Sequence, residues 1–67
     1  MSYWERLTDD QRRGVIRCLQ ELGFSASDIA KMAGVSPAAV TYWLSGRYAP
    51  EADKLERIYN AAPEAVE

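Results

Sequence analysis

The sequence predicts an all-α fold, a compact bundle of four to five helices. Two patterns carry this prediction. Helix-starting signals recur along the chain, and the apolar residues that follow them are spaced as on one face of a helix. No stretch alternates between apolar and polar residues as a half-buried strand does. The 67 residues are enough for one domain with a small core.

The first helix is predicted after a capping box at Thr8, and a similar box at Ser2 opens a shorter turn before it. Tyr3 and Trp4 are expected to pack over the core as a lid; the alternative is a patch for a partner. Gly23 ends the helix as a left-handed cap. The predicted apolar stripe consists of Val15, Ile16, Cys18, Leu19 and Leu22.

The second and third helices are short and lie close together in the sequence. A capping box at Ser25 begins helix 2, predicted at about 26–33 with Ile29, Ala30 and Ala33 facing inward. Helix 3, predicted at about 37–45, is capped by Ser36 and carries Pro37 at its first position. Its apolar stripe predicts that Trp43 is buried with Val40 and Leu44, whereas Tyr42 is exposed.

Proline marks the start of the last predicted helices. Pro50 is expected to begin a fourth helix, whose apolar face carries Leu55, Ile58 and Tyr59. Pro63 could begin a fifth, but only four residues follow it. A helix of one turn is not stable alone, so we expect this single domain to be the N-terminal part of a longer protein. A frayed C-terminus is the alternative.

Composition excludes several kinds of chemistry. One cysteine and no histidine exclude an internal disulfide, a histidine base and a zinc site built from these residues. We therefore expect a binding module without cofactor or metal, not an enzyme. No apolar run reaches the roughly 20 residues that span a bilayer, so no membrane partner is expected. The free thiol and the lack of a secretory leader favour the cytoplasm.

A helix-turn-helix is predicted over residues 26–45. The turn Gly34-Val35-Ser36 is short enough to need a glycine with positive φ. Ala30 is small where the two helices must cross closely. Val35 and the inward residues of the two helices supply the apolar side chains between them. These requirements are all met at the right spacing.

The stretch from Leu22 to Arg47, LGFSASDIAKMAGVSPAAVTYWLSGR, resembles the phage repressor/Cro-type (Xre-like, lambda repressor-like) helix-turn-helix. In that family the motif is followed by a proline and a fourth helix, as at Pro50 here. The resemblance covers about 22–60 without a gap. It implies a duplex DNA partner, a nucleoid-associated location, and a recognition helix that starts at Ser36–Pro37.

The resemblance also implies roles for individual residues. The positions that match base-contacting residues are Pro37, Ala38, Thr41 and Tyr42. The positions that match phosphate-contacting residues are Ala26, Ser36, Ser45 and Arg47, with Tyr48 as an addition. At Ala26 the contact would use backbone N–H groups at the start of helix 2.

Three departures from the family pattern change the expected contacts, and one of them is that the basic residues usually flanking the recognition helix are reduced to Arg47. The family often has glutamine where this chain has Ala26, Pro37 and Ala38, so bidentate recognition of adenine is lost. The base contacts expected instead are apolar contacts of methyl groups, which suit thymine, and a contact of Tyr42. Many members also carry a buried Arg–carboxylate pair where this chain has Leu19 and Leu44. We predict that these two leucines contact each other.

Charge is distributed unevenly. Residues 25–50 carry a net charge of +1, whereas residues 51–67 carry −3, so the acidity of the chain lies in its C-terminal part. A net charge of +1 is low for a segment that binds phosphates. Arg13 and Arg17 each have a carboxylate four residues away, which favours surface ion pairs over further phosphate contacts.

Two functions remain open from the sequence. The first is duplex DNA binding, by a transcription regulator or by the DNA-binding domain of a larger DNA-processing protein. The second is a helix-turn-helix fold used as a protein-interaction module, which the acidic composition and the alanines of helix 3 favour. A homodimer is possible through regions outside this chain, because repressor-type domains often bind palindromes as dimers.

Overall fold

The computed structural model describes residues 3–61, and all regular structure in that range is helical. A 3₁₀ turn at Tyr3–Arg6 precedes α1 (Asp9–Glu21), α2 (Ala26–Ala33), α3 (Pro37–Ser45) and α4 (Ala52–Ala61). The all-α prediction is confirmed, and α2 and α3 have the bounds expected from the sequence. The capping box at Ser2 and the fifth helix at Pro63 fall outside the described residues.

The start of α1 shows how local chemistry fixes a helix end. The Thr8 hydroxyl accepts from the Gln11 backbone N–H at 3.1 Å, and the Gln11 side chain accepts from the Thr8 N–H at 2.9 Å. Two N–H groups that the helix itself leaves unpaired are thus satisfied. Asp9 and Asp10 add negative charge at the positive end of the helix dipole.

All four helices contribute to one core. Burying a large apolar side chain such as leucine or isoleucine there contributes about 1.5–3 kcal/mol to folding. The buried apolar residues are Ile16 and Leu19 of α1, Ile29, Ala30 and Ala33 of α2, Val40 and Trp43 of α3, and Leu55 and Ile58 of α4. Leu44 is half-buried and packs against this cluster, of which Leu19 is a member. Direct contact between the two leucines stays a prediction.

The apolar stripe predicted for α1 is wrong at two positions. Leu22 is 61% exposed and Cys18 is also exposed. The helix ends just before Leu22, where Gly23 takes φ +103° and turns the chain. The Phe24 N–H then bonds to the Leu19 carbonyl at 3.1 Å, and the half-buried Phe24 ring packs against the core. Phe24, and not Leu22, therefore packs against the core at this end of α1.

The start predicted for α4 is also wrong, because the helix begins at Ala52 and not at Pro50. The first helical acceptor is the Glu51 carbonyl, which takes the N–H groups of Lys54 and Leu55. Pro50 is buried, and its carbonyl accepts instead from Arg12 Nη1 at 3.4 Å. Pro50 thus ends the connection between α3 and α4.

The lid predicted over the core is formed by Trp4 alone. Trp4 is half-buried, and its ring centroid lies 5.8 Å from that of Tyr59. Tyr3 is 67% exposed and packs only its edge against Trp4. The prediction that both aromatic residues cover the core is therefore wrong for Tyr3.

Candidate nucleic-acid interface

The turn between α2 and α3 requires glycine because of its backbone conformation. Gly34 has φ +73°, a conformation that costs other residues about 1–2 kcal/mol. A Cβ at Gly34 would lie 2.8 Å from Cζ of Arg57, but this is the end of a flexible side chain and it can move aside. The Gly34 and Val35 N–H groups both bond to the Ala30 carbonyl, at 2.8 and 3.0 Å. The angle between α2 and α3 is fixed by this turn and by the apolar residues beneath it.

The inner and outer faces of α3 differ sharply in burial. Trp43 is 3% exposed, whereas its neighbour Tyr42 is 38% exposed, so the predicted helix phase is confirmed. The four residues expected to contact bases are all exposed, and their spacing places them on one side of the helix. They are Pro37, Ala38, Thr41 and Tyr42.

Two hydroxyl groups on α3 already donate to the helix backbone. Thr41 Oγ1 donates to the Pro37 carbonyl at 3.2 Å, and Ser45 Oγ donates to the Tyr42 carbonyl at 3.0 Å. Each hydroxyl has a single proton, so its remaining capacity is as an acceptor. A phosphate accepts only, so a phosphate contact by Ser45 would require its hydroxyl to rotate. The Ser36 hydroxyl differs, because it caps α3 by accepting from Ala39 N at 3.3 Å and keeps its proton for donation to a phosphate oxygen.

The end of α3 brings three predicted residues together. The Arg47 guanidinium carbon lies over the Tyr42 ring, 5.0 Å from its centroid. The Tyr48 ring centroid lies 5.6 Å from that of Tyr42, with the two planes tilted by 54°. Tyr48 is 46% exposed. We call Tyr42, Arg47 and Tyr48 the aromatic–arginine cluster; it combines a positive charge with two hydroxyl groups at the edge of the outer face of α3.

The start of α2 is less favourable for a phosphate than the resemblance implies. Ala26 is half-buried, and the Asp28 carboxylate accepts from the Ser25 N–H at 3.0 Å. Hydrogen bonds from the backbone and side chain of Ser25, with the charge of Lys31, hold the pKa of Asp28 below its ordinary value of 3.8. A full negative charge therefore lies beside the backbone N–H groups proposed for phosphate.

Sequence reasoning missed the role of Arg13. Its side chain is 16% exposed and pairs with Asp10 at 3.1 Å, three residues away, and not with Asp9. Nη2 of Arg13 also donates to the Gly46 carbonyl at 3.3 Å. Arg13 therefore ties α1 to the end of α3, next to Arg47. Arg17 is exposed and forms no ion pair within residues 3–61.

The described residues contain neither a metal-binding cluster nor a membrane-spanning helix. Across residues 3–61, no group of cysteine, aspartate and glutamate side chains is placed to hold a metal ion. No helix in that range has the length and hydropathy to cross a membrane. The outer face of α3 and the residues at its two ends form the candidate site.

The close pairing of α2 and α3, with one face of α3 packed and the other exposed, defines a helix-turn-helix domain of the DNA-binding class. A family model described as Helix-turn-helix matches residues 15–61, most of the chain. The chain belongs to this family, the Xre and lambda repressor-like helix-turn-helix proteins. Neither a curated protein nor a solved structure matches the chain.

Proposed function

We propose that this domain binds duplex DNA with α3 in the major groove, in a transcription regulator or in the DNA-binding domain of a larger DNA-processing protein. The observation that carries the proposal is the division of α3 into a packed and an exposed face. Val40 and Trp43 hold the helix on the core, and no described residue covers the side opposite. A helix presented in this way can enter a major groove without rearrangement of the fold.

The outer face is suited to contacts with thymine and to one hydrogen bond. Ala38 and the Thr41 methyl group offer apolar contact to a thymine methyl. Tyr42 has its hydroxyl available for a base edge. The residues assigned to bases are Pro37, Ala38, Thr41 and Tyr42. The residues assigned to phosphates are Ala26, Ser36, Ser45, Arg47 and Tyr48.

Arg47 carries the only positive charge among those phosphate-contacting residues, so we expect modest affinity from a single domain. We expect Asp28 to reduce the affinity further. Its carboxylate lies at the start of α2, where Ala26 is proposed to contact a phosphate, and the two negative charges would repel each other. A homodimer formed through regions outside this chain would supply a second set of contacts, about one helical turn away along the duplex. The proposal places the protein at the nucleoid.

The test is a fluorescence-anisotropy titration with a random duplex and with duplexes selected from genomic DNA, each over a range of salt concentration. Binding should weaken steeply as salt rises. Arg47→Ala should weaken binding to every duplex and reduce the slope of log K against log salt by about 0.9, the value for one phosphate contact. Arg17→Ala removes the same charge from an exposed position of α1 and is the matched control.

The alternative function is a protein-interaction module. It is favoured by the net charge of −2 and by the two exposed tyrosines of the aromatic–arginine cluster. A hydrophobic protein interface does not depend steeply on salt. If no duplex binds at low salt, the alternative becomes the better explanation. If Arg47→Ala and Arg17→Ala weakened duplex binding equally, binding would depend on the net charge of the protein and not on a specific phosphate contact by Arg47.

A further inference from the structure

The end of α3 has the hydrogen bonds of a Schellman motif. The Gly46 N–H bonds to the Trp43 carbonyl at 3.3 Å, and the Arg47 N–H bonds to the Tyr42 carbonyl at 3.0 Å. Gly46 has φ +83°, as this motif requires. The motif characteristically brings the side chains of its last residue and of the residue five positions earlier into contact. Here these two residues are Arg47 and Tyr42.

The contact is a stack of the guanidinium on the tyrosine ring. Arg47 Cζ lies 5.0 Å from the ring centroid, within the range in which the ring attracts a cation. Arg47 forms no ion pair within residues 3–61, so the ring is its side-chain partner there. Tyr48 packs against the same ring at 5.6 Å and restricts its movement.

We propose that Tyr42 is a positioning residue for Arg47. The ring holds the guanidinium at the edge of the outer face of α3, so the side chain has lost part of its rotamer freedom before a phosphate arrives. Less conformational entropy is then lost on binding. The inference rests on the proposed function and deepens it: the phosphate contact depends on a residue otherwise assigned to bases.

The stack also limits how Tyr42 meets DNA. A ring face covered by the guanidinium is not available to stack on a base. The hydroxyl at the ring edge is the polar group that Tyr42 offers to a base edge in the major groove. In this proposal the Tyr42 ring positions Arg47 for a phosphate contact, and the Tyr42 hydroxyl contacts a base edge. Two substitutions separate these two roles. Tyr42→Phe removes the hydroxyl and keeps the ring, whereas Tyr42→Leu removes both.

The first experiment needs no DNA. In NMR spectra of the free protein, the Arg47 δ protons should be shifted upfield by the Tyr42 ring current. Tyr42→Phe should keep the shift and Tyr42→Leu should abolish it. Tyr3→Leu, the same change at an exposed tyrosine outside the helix-turn-helix, should leave it unchanged. An Arg47 shift that is the same in wild type and Tyr42→Leu overturns the proposal.

The second experiment is a double-mutant cycle on a random duplex, where base recognition plays no part. Tyr42→Leu should weaken binding by about two- to fivefold, the range for an exposed cation–π contact. In the Arg47→Ala background the same change should have no effect, because there is no guanidinium left to position. Tyr3→Leu, the same change at an exposed tyrosine outside the helix-turn-helix, should bind the random duplex as wild type does.

The two possible failures have different signatures. If wild type binds duplex DNA but Tyr42→Leu costs the same factor with and without Arg47, the positioning role is wrong and the proposed function stands. If wild type binds no duplex at low salt, the proposed function fails and the positioning role fails with it. Circular-dichroism melting curves of each variant show whether the fold is retained, as expected for substitution of an exposed residue.

Discussion

The ends of α1 and α3 are built on the same backbone motif and serve different purposes. In both, a glycine with positive φ turns the chain, and the next N–H bonds to a carbonyl five residues earlier. At the end of α1 the paired residues are Leu19 and Phe24, which face the core. At the end of α3 they are Tyr42 and Arg47, which face solvent. The backbone motif sets which side chains meet, and their chemistry decides whether the contact stabilises the fold or presents a charge.

The largest expected contrast between these two helix ends is in stability. Leu19 is fully buried, so Leu19→Ala should lower the free energy of unfolding by about 2–5 kcal/mol. Tyr42→Ala, at the equivalent position of α3, should lower it by only about 0.5 kcal/mol, as for an exposed residue. Urea denaturation followed by circular dichroism measures both. Equal losses would show that the end of α3 is part of the core.

The two glycines of these motifs give a matched pair. Gly23 and Gly46 have φ +103° and +83°, and a Cβ at either would have no atom within 4 Å. Alanine at each should therefore cost about 1–2 kcal/mol from backbone strain alone. Their effects on DNA binding should differ, because only Gly46→Ala disturbs Arg47. Thermal melts and anisotropy titrations on the same pair of variants test this contrast. Weaker binding by Gly23→Ala would contradict it.

Much of the fold could be predicted from the sequence because helix ends are fixed by local chemistry. Ser25, Ser36 and Gly34 mark the bounds of α2 and α3 through hydrogen bonds and backbone conformations that span few residues. The predicted burial of Leu22 and the predicted helix start at Pro50 are wrong, because contacts with other residues decide the environment of both. Phe24, and not Leu22, packs against the core, and the Pro50 carbonyl accepts a hydrogen bond from Arg12 of α1.

The part of the candidate site that could be predicted is the part in which the phase of the helix alone decides whether a side chain is buried or exposed. The exposure of Tyr42 and the burial of Trp43 follow from the spacing of apolar residues on α3. The contacts of Arg13 with Gly46 and of Arg57 with Gly34 join residues far apart in the sequence. No local pattern marks such pairs, since they depend on how α1 and α4 pack against the helix-turn-helix.

A substitution of Arg13 tests a difference between the two helix ends, because the Arg13 side chain supports only the end of α3. Arg13→Ala removes a hydrogen bond to the Gly46 carbonyl and the pair with Asp10. We expect a loss of about 1 kcal/mol in the free energy of unfolding. Arg17→Ala, at an exposed position of the same helix, should change it by less than about 0.5 kcal/mol. Indistinguishable urea midpoints for the two variants would mean that Arg13 does not support the end of α3.

The smallest effect on stability is expected at the start of α2. This is a helix N-terminus, whereas the two ends compared above are C-termini. The pKa of Asp28 is held below its ordinary value of 3.8 by hydrogen bonds from Ser25. A lowered carboxyl pKa stabilises the folded state above the ordinary value, and this stability is lost as pH falls through the folded-state pKa. Asp28→Asn should therefore melt at a lower temperature than wild type at neutral pH, and the gap should close as pH falls below 3.8. Melting temperatures of the two proteins over this pH range measure the gap. A gap that stays constant with pH would show that the charge of Asp28 does not contribute and that the Ser25 cap depends on geometry alone.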